Sequence, residues 1–452
     1  MNILIVSENL PFDSVKSKGV TAVHIQLALV AREMSALGHK VAVLPIQMYD
    51  GHSSEQDANA SLSAELDEWR GYTVLPPLFI RDTATGKRGS GVFRRLTRVA
   101  RSLLKIIPMR EFYPSIVLGP EVTKCADRFG ADILLSFISP HASGAMMTAT
   151  EYPRVVFQGN IDFVTDELRL EFDSLFRESA TLSRSPIARL IKRKVREGYI
   201  RCYEMSHRHV VLRSQAILNT SAGNNQYYED IGHPKVVYVG TTWSGPPANA
   251  GQQGSGGVSD GSASKPFKII GHAGFLGMTA STFGLEYLLK YTMPALRQEM
   301  NGYAFEVHII GGGKATEVLR PYLKQENIVL RGYVKDLDSE LLDSDVFLFL
   351  NNAGPLKSIF SRQIIAWAMG LCLVVHKGSL ETLPELDHGN NVLVGASAPE
   401  LASLVKRACL DRDLNRKLRL GGRYTYDEHF TPAAISGKIL SVMEEMVSTN
   451  SS

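Results

Sequence analysis

The chain opens on an apolar run at residues 2–6 that does not alternate with polar positions, the pattern of a parallel strand buried on both faces. A loop containing Pro11 and Gly19 follows. Residues 20–37 then place Val23, Leu27, Val30, Met34 and Leu37 on one helical face, and Gly38 supplies a stop before a second apolar run at 40–44. This β-loop-α-β order predicts the start of a doubly wound α/β domain. Further strands are predicted at 132–137, 154–158, 216–219 and 235–239.

Between residues 244 and 265 the pattern vanishes into a Gly, Ser, Pro and Gln stretch with no apolar face to bury, which predicts a flexible linker. The pattern then restarts. Strands are expected at 267–270, 305–310, 328–330, 346–350 and 371–375, with a helix over 283–300 among the segments between them. A last helix, 432–446, has no strand after it. The expected organisation is a Rossmann-like domain over 1–243, the linker 244–265, a second Rossmann-like domain over 266–427, and a terminal helix in 428–452 returning to the first domain before a disordered tail. Two such domains would face each other across a cleft lined by the carboxyl ends of their strands, where open α/β sheets bind ligands.

Length agrees with two domains, since 452 residues exceed what one core commonly serves. A net charge of +3 gives no global field for nucleic acid, so an anionic ligand has to be met by local cations. Cys125, Cys202, Cys372 and Cys409 show neither zinc nor redox spacing and read as buried free thiols of a reducing compartment. The first apolar run is too short for a signal-peptide core or a membrane span, and a cytoplasmic protein is expected, with peripheral contact to the membrane's inner face left open.

The densest chemistry lies between Asn351 and Val375. A strand ends, a loop carries Lys357 and Ser358, and a helix starts with Ser361 as its cap and Arg362 in its first turn, ending at Gly370. Free backbone N–H groups, the positive end of the helix dipole, two hydroxyls and two cations suit a phosphate or diphosphate. A merely capped helix with a solvated arginine fits the same residues.

A resemblance separates these readings. The stretch from Asn327 through Gly332-Tyr-Val334-Lys-Asp336-Leu resembles the "G-Y-V-x-D-L" turn of GT-B glycosyltransferases of the family 4, or group 1, type. Ile365-Ala-Trp-Ala-Met-Gly370-Leu-Cys-Leu-Val-Val resembles that family's "E-A-M-A-x-G-x-P-V-V", and His388-Gly-Asn-Asn-Val-Leu-Val its "D-G-x-N-G-x-L-V". Gly38-His39-Lys40-Val-Ala-Val resembles "G-H-x-V-x-V", and Ser17-Lys18-Gly19 falls where the family places a glycine loop facing the donor. The resemblance implies a GT-B fold and retaining, metal-independent sugar transfer from a nucleoside-diphosphate sugar, which is a substrate and not a cofactor. It implies donor contacts by Arg362, Ser361, Lys357, Ser358, Gly274, Gly332, Val334 and Gly19. The family's two glutamates fall on Lys357 and Ile365, and its basic pair is missing from the stretch between His272 and Gly284. Branches lacking that pair carry a glycine-rich loop there, and the cation before the helix, here Arg362, takes over the diphosphate.

On the acceptor side, His141 and Asp162 follow two predicted strands and are the candidate catalytic groups, each with a packing or capping alternative. Asp336-Leu-Asp338 and Asp411-Arg-Asp413 match a metal-binding "D-x-D" but read as helix caps. His207-Arg-His209 has no partners at ligand spacing, so no metal site is expected. Cations at helical spacing beside apolar stripes, at 94–107 and 186–196, fit either an interfacial helix on anionic lipid or a solvated helix face. The expected partners are thus a nucleotide-sugar donor and a saccharide or lipid-linked acceptor. An inactive homologue kept for binding or assembly, and a nucleotide-sugar epimerase of the same fold, remain the alternatives.

Overall fold

The computed structural model describes residues 1–11, 22–49, 71–81, 109–176, 186–245, 265–358 and 361–450. The chain divides into two compact units. The first comprises 1–163, 185–240 and 432–452, and the second 164–184 and 241–431. The predicted linker falls almost wholly on 246–264, outside the described residues, as do Gly19 and the basic stretch 94–107.

The first unit is built on an eight-stranded sheet. Its strands are β1 (Asn2–Ser7), β2 (Lys40–Tyr49), β3 (Thr73–Val74), β4 (Leu78–Arg81), β5 (Ile133–Phe137), β6 (Arg154–Gln158), β7 (Ala216–Asn219) and β8 (Val236–Tyr238). They run in the order β3-β2-β1-β5-β6-β7-β8, with β4 also on β2, and every pairing is parallel. Ile3 to Val6 are wholly buried, as an all-parallel strand with both faces covered requires. The short β3 and β4 escape a reading of apolar runs because a few residues carry no period.

The terminal helix, Pro432–Asn450, belongs to this unit. Lys438 Nζ donates to the Val239 carbonyl at 3.3 Å, and Lys235 pairs with Glu445. Ile435, Ile439 and Met443 supply its buried face.

The second unit holds six parallel strands: β9 (Phe267–Ala273), β10 (Phe305–Ile310), β11 (Ile328–Gly332), β12 (Val346–Phe349), β13 (Leu373–His376) and β14 (Leu393–Gly395). Their order is β11-β10-β9-β12-β13-β14, the dinucleotide-fold order 3-2-1-4-5-6. The direction of strand addition reverses between β9 and β12, so a ligand crevice is expected beyond the carboxyl ends of those two strands. The helix expected over 283–300 starts earlier, at Thr279, and passes through a π turn, Leu288–Thr292, before ending at Glu299. Gly284 lets it approach the next strand end: a Cβ there would lie 2.7 Å from Asn351 Oδ1 and 3.0 Å from Asn351 Cα. The segment 164–176 also packs on this unit, with Phe172 and Phe176 edge-on to Phe283 at centroid separations of 5.2 and 5.4 Å.

Cys202, Cys372 and Cys409 are buried free thiols, whereas Cys125 is half-buried. Burial raises the Cys372 thiol to about 12 and Cys409 well above its ordinary value, so neither ionises near neutrality.

Candidate functional site

The reversal point of the second sheet gathers most of the expected donor residues. β9 ends at Ala273, and Gly274 continues it with φ 139°, a conformation open to glycine. Its N–H donates to the Ile310 carbonyl at 2.8 Å, and Gly311 N–H donates to the Gly332 carbonyl at 2.8 Å. The ends of β9, β10 and β11 are therefore laced together through three glycines, two of which tolerate no side chain: a Cβ on Gly311 would lie 1.7 Å from the Gly274 carbonyl oxygen.

Arg362 reaches this ledge from the far side of the reversal point. It stands in the first turn of the helix Ser361–Ala368, which leaves the β12 loop, and a Cβ on Gly274 would lie 2.2 Å from its Nη2. Burial lowers the guanidinium from its ordinary value to about 10, still fully charged at neutral pH. Burial, aided by the Arg362 charge, holds His272 at about 3, so this imidazole is neutral and its Nε2 lies 3.3 Å from the Gly274 carbonyl. A buried arginine with glycine backbone against it is poised for an anion that approaches over the glycines.

The loop 351–358 is held by Asn352, which is wholly buried. Its side-chain oxygen accepts from Ser358 N–H at 3.1 Å, and its amide nitrogen lies 3.3 Å from both Ser379 Oγ and Thr382 Oγ1. Its backbone carbonyl takes a 2.7 Å hydrogen bond from Lys357 Nζ. Lys357 is thus tied down beside Gly378 and not extended into solvent, and its own pKa is lowered by burial and by Lys377. Ser361 is the first described residue of that helix. Gly370 closes the helix as expected, with φ 62° and its N–H on the Trp367 carbonyl at 3.0 Å.

Gly332 ends β11 with φ 64°, and Val334 is half-buried two residues on. Between them Tyr333 is 73% exposed, and Phe275, next to Gly274, is 55% exposed with its ring against Gly313. Tyr333 belongs to the Gly332-Tyr-Val334 turn singled out in the sequence, whereas Phe275 carries no motif and was not legible there.

In the first unit, strand addition reverses between β1 and β5. His141 lies in the helix Pro140–Met146 that follows β5; Ser139 caps that helix by accepting from Ala142 N–H at 3.0 Å. His141 Nε2 is 3.4 Å from Glu8 Oε1, and Ser139 Oγ donates to Glu8 Oε2 at 2.6 Å. Glu8, one residue beyond β1, was missed from sequence, although a carboxylate at a strand's carboxyl end is the signal to look for. Asp162 is exposed at the start of the helix Asp162–Glu171 after β6 and accepts from Tyr203 OH at 3.3 Å. His141 and Asp162 therefore hang from adjacent strands on separate partners.

The residues set aside on sequence behave as local structure. Asp336 caps the helix Leu337–Leu342 and Asp411 caps Arg412–His429. His207 sits between Tyr113 OH at 2.8 Å and Tyr228 OH at 3.1 Å, with burial lowering it to about 4. Among the described residues no group of His, Cys, Asp and Glu could hold a metal, and no helix is long and apolar enough to cross a membrane.

Residues 268–411 match the family model described as "Glycosyl transferases group 1". Solved structures align over nearly the whole chain at low identity. A glycosyltransferase from Rickettsia africae has TM-score 0.55 and 13% identity, covering 99% of this chain and 98% of its own. HepE of Anabaena, solved with UDP and glucose, has TM-score 0.56 and 14% identity, covering 98% and 99%. Sucrose-phosphate synthase from Thermosynechococcus elongatus has TM-score 0.60 and 11% identity, covering 99% and 100%. The fold is GT-B. No curated protein matches the sequence significantly. Within the GT-B frame, the family model spans β9 to the end of the helix Ala398–Leu410, the part that holds Gly274, Gly332 and Arg362. Ile365 is buried in the helix that carries Arg362.

Proposed function

We propose that this chain transfers a sugar from a nucleoside-diphosphate sugar to a hydroxyl of a saccharide or lipid-linked saccharide, with retention and without a metal. The observation that carries this is the Arg362 guanidinium against Gly274 at the reversal point of the second sheet. A diphosphate over the glycine ledge would meet that charge and the N-terminal dipole of its helix, which together offset the charge that builds on the departing diphosphate. Gly332 and Val334 would present backbone to the nucleoside, and Ser361, Lys357 and Ser358 would flank the diphosphate. His141 and Asp162 stand as the acceptor-side groups of the first unit.

A peripheral membrane location is part of this reading. The helix Pro186–Val211 begins with Ile187, Leu190 and Ile191 exposed, alongside Arg189, Lys192, Arg193, Lys194 and Arg196. Such a helix end suits an anionic lipid surface bearing the acceptor.

The test is a panel of UDP-, GDP- and ADP-hexoses, assayed for binding and for transfer to p-nitrophenyl glycosides, with Arg362→Ala beside the wild type. Binding of one donor that weakens at least ~10-fold in the variant is expected; no binding to any donor would overturn the reading. Anomeric proton signals of the product decide retention. A second reading, a binding protein without turnover, is favoured by Ile365 and the tied Lys357 in place of two glutamates. Donor binding with no transfer to any acceptor would select it.

A further inference from the structure

Strand order in the second sheet lays a donor out along one line. Gly332, which ends β11, and Val334 just beyond it stand at the nucleoside. Arg362 and Gly274 stand at the diphosphate, between β9 and β12. In the order β11-β10-β9-β12-β13-β14 the sugar therefore falls on the β13 side of the diphosphate. Neighbouring strands lie about 4.8 Å apart, so β13 is roughly 10 Å from β9, a span that one hexose ring beyond a diphosphate covers.

The end of β13 is cationic. His376 closes the strand, its Nδ1 accepting from Gly378 N–H at 3.1 Å, and the exposed Lys377 follows. Lys357 enters from the β12 loop and sets its ammonium against Gly378. A Cβ on that glycine would lie 2.2 Å from the Asn352 carbonyl oxygen and 2.4 Å from Lys357 Nζ, so only glycine leaves this seat open.

Lys357 Nζ donates to the Asn352 carbonyl at 2.7 Å, which occupies one of the three N–H donors of an ammonium. No carboxylate pairs with it among the described residues; Glu381 and Lys377 act on it only at longer range and with opposite signs. Lys268, buried in the same sheet, is treated differently: Glu340 and Asp343 balance it at 3.3 and 3.4 Å. A half-buried charge without a counter-ion is costly, and burial lowers the Lys357 pKa accordingly. An arriving anion removes that cost.

We propose that the donor sugar is a hexuronic acid, whose carboxylate is bound by Lys357 with Lys377 beside it. This rests on the sugar-transfer reading above and moves Lys357 from the diphosphate to the sugar attached to it. The carboxylate supplies the missing counter-ion and accepts the two remaining N–H groups of Lys357. A neutral hexose leaves them unmatched. Arg362 keeps the diphosphate, so the two anionic parts of the donor are held by different cations.

The experiment uses the full chain and compares hexuronate with hexose on the same nucleotide by calorimetry. The pairs are UDP-glucuronate with UDP-glucose, UDP-galacturonate with UDP-galactose, GDP-mannuronate with GDP-mannose, and ADP-glucuronate with ADP-glucose. In the pair that binds most tightly, the hexuronate is expected to bind ~10–100-fold better, the scale of a hydrogen bond to a charged group. Lys357→Met keeps the bulk of the stem and removes the charge, and it is expected to bring that ratio to about one. The ratio is the readout because lost packing weakens both donors alike. A wild-type ratio below about threefold overturns the proposal, and so does a Lys357→Met protein that keeps the wild-type ratio. Where the methionine variant does not fold, Lys357→Gln, which retains a donor for the Asn352 carbonyl, decides by the same ratio. Equal binding of both kinds of donor sinks this proposal alone. Failure of the wild type to bind any donor is a different result, which sinks the transfer reading and this inference with it.

Discussion

Arg362 packs its guanidinium against Gly274, so closely that a single added methyl would lie 2.2 Å from Nη2 and 2.5 Å from Cζ. Two loops that leave strands on either side of the reversal point are thereby fitted to one another. Gly274→Ala is expected to push the guanidinium off the ledge and to strain a φ of 139°. Donor affinity should fall at least ~10-fold, the scale of one charge-assisted hydrogen bond, as read by calorimetry. A variant that folds and binds donor like wild type would separate Arg362 from the donor site.

Asn352 organises the β12 loop from a wholly buried position. Asn352→Ala removes the acceptor for Ser358 N–H and the donor facing Ser379 and Thr382. A loss of about 2–4 kcal/mol is expected in urea unfolding, because buried groups lose partners that no water replaces. A change below about 1 kcal/mol would show that the loop holds its shape by packing alone.

His272 and His207 are kept neutral at about 3 and about 4 by burial, below the ordinary 6.5. The unfolded chain binds more protons than the folded one between these values, so stability contributed by the neutral rings is present above pH 6.5 and lost as pH falls toward 4 and 3. Each is expected to lose about 2 kcal/mol between pH 7.5 and pH 5. His272→Gln, which keeps an amide donor for the Gly274 carbonyl, should make the unfolding free energy less pH-dependent over that interval. An unchanged slope would place the imidazole in contact with water.

Gly422, in the helix Arg412–His429, meets the buried Trp367 of the Arg362 helix: a Cβ there would lie 2.4 Å from the indole Cδ1. The indole is fixed by its own hydrogen bond to the Asn391 carbonyl at 3.0 Å and cannot swing away cheaply. Gly422→Ala is expected to cost about 1–3 kcal/mol by overpacking. Denaturant unfolding checks it, and a stabilised variant would mean the two helices separate freely.

Leu190 and Ile191 are 59% and 58% exposed beside five cations. Replacing both by Asp should leave the unfolding midpoint unchanged. It should also abolish co-sedimentation with phosphatidylglycerol vesicles, which the wild type is expected to show in preference to phosphatidylcholine. Equal sedimentation of both proteins would return this helix end to an ordinary solvated face.

What the sequence determined by itself is what short-range physics encodes. β1, β5, β6, β7, β9 and β10 were legible because strands covered on both faces are continuous apolar runs. Gly370, Asp336 and Asp411 were legible because helix ends are satisfied within a few residues of themselves. β14 was not, since three residues without a period become a strand only by pairing with β13. Arg362 could be named as a phosphate candidate from its helix start, but its seat against Gly274 is a contact between distant parts of the chain. The same holds for Glu8 with Ser139 and His141, and for Lys357, whose ammonium is turned to the Asn352 carbonyl. Which side chains meet at a reversal point depends on strand order, and strand order is set by packing summed over the whole sheet. Only the tertiary structure could decide it.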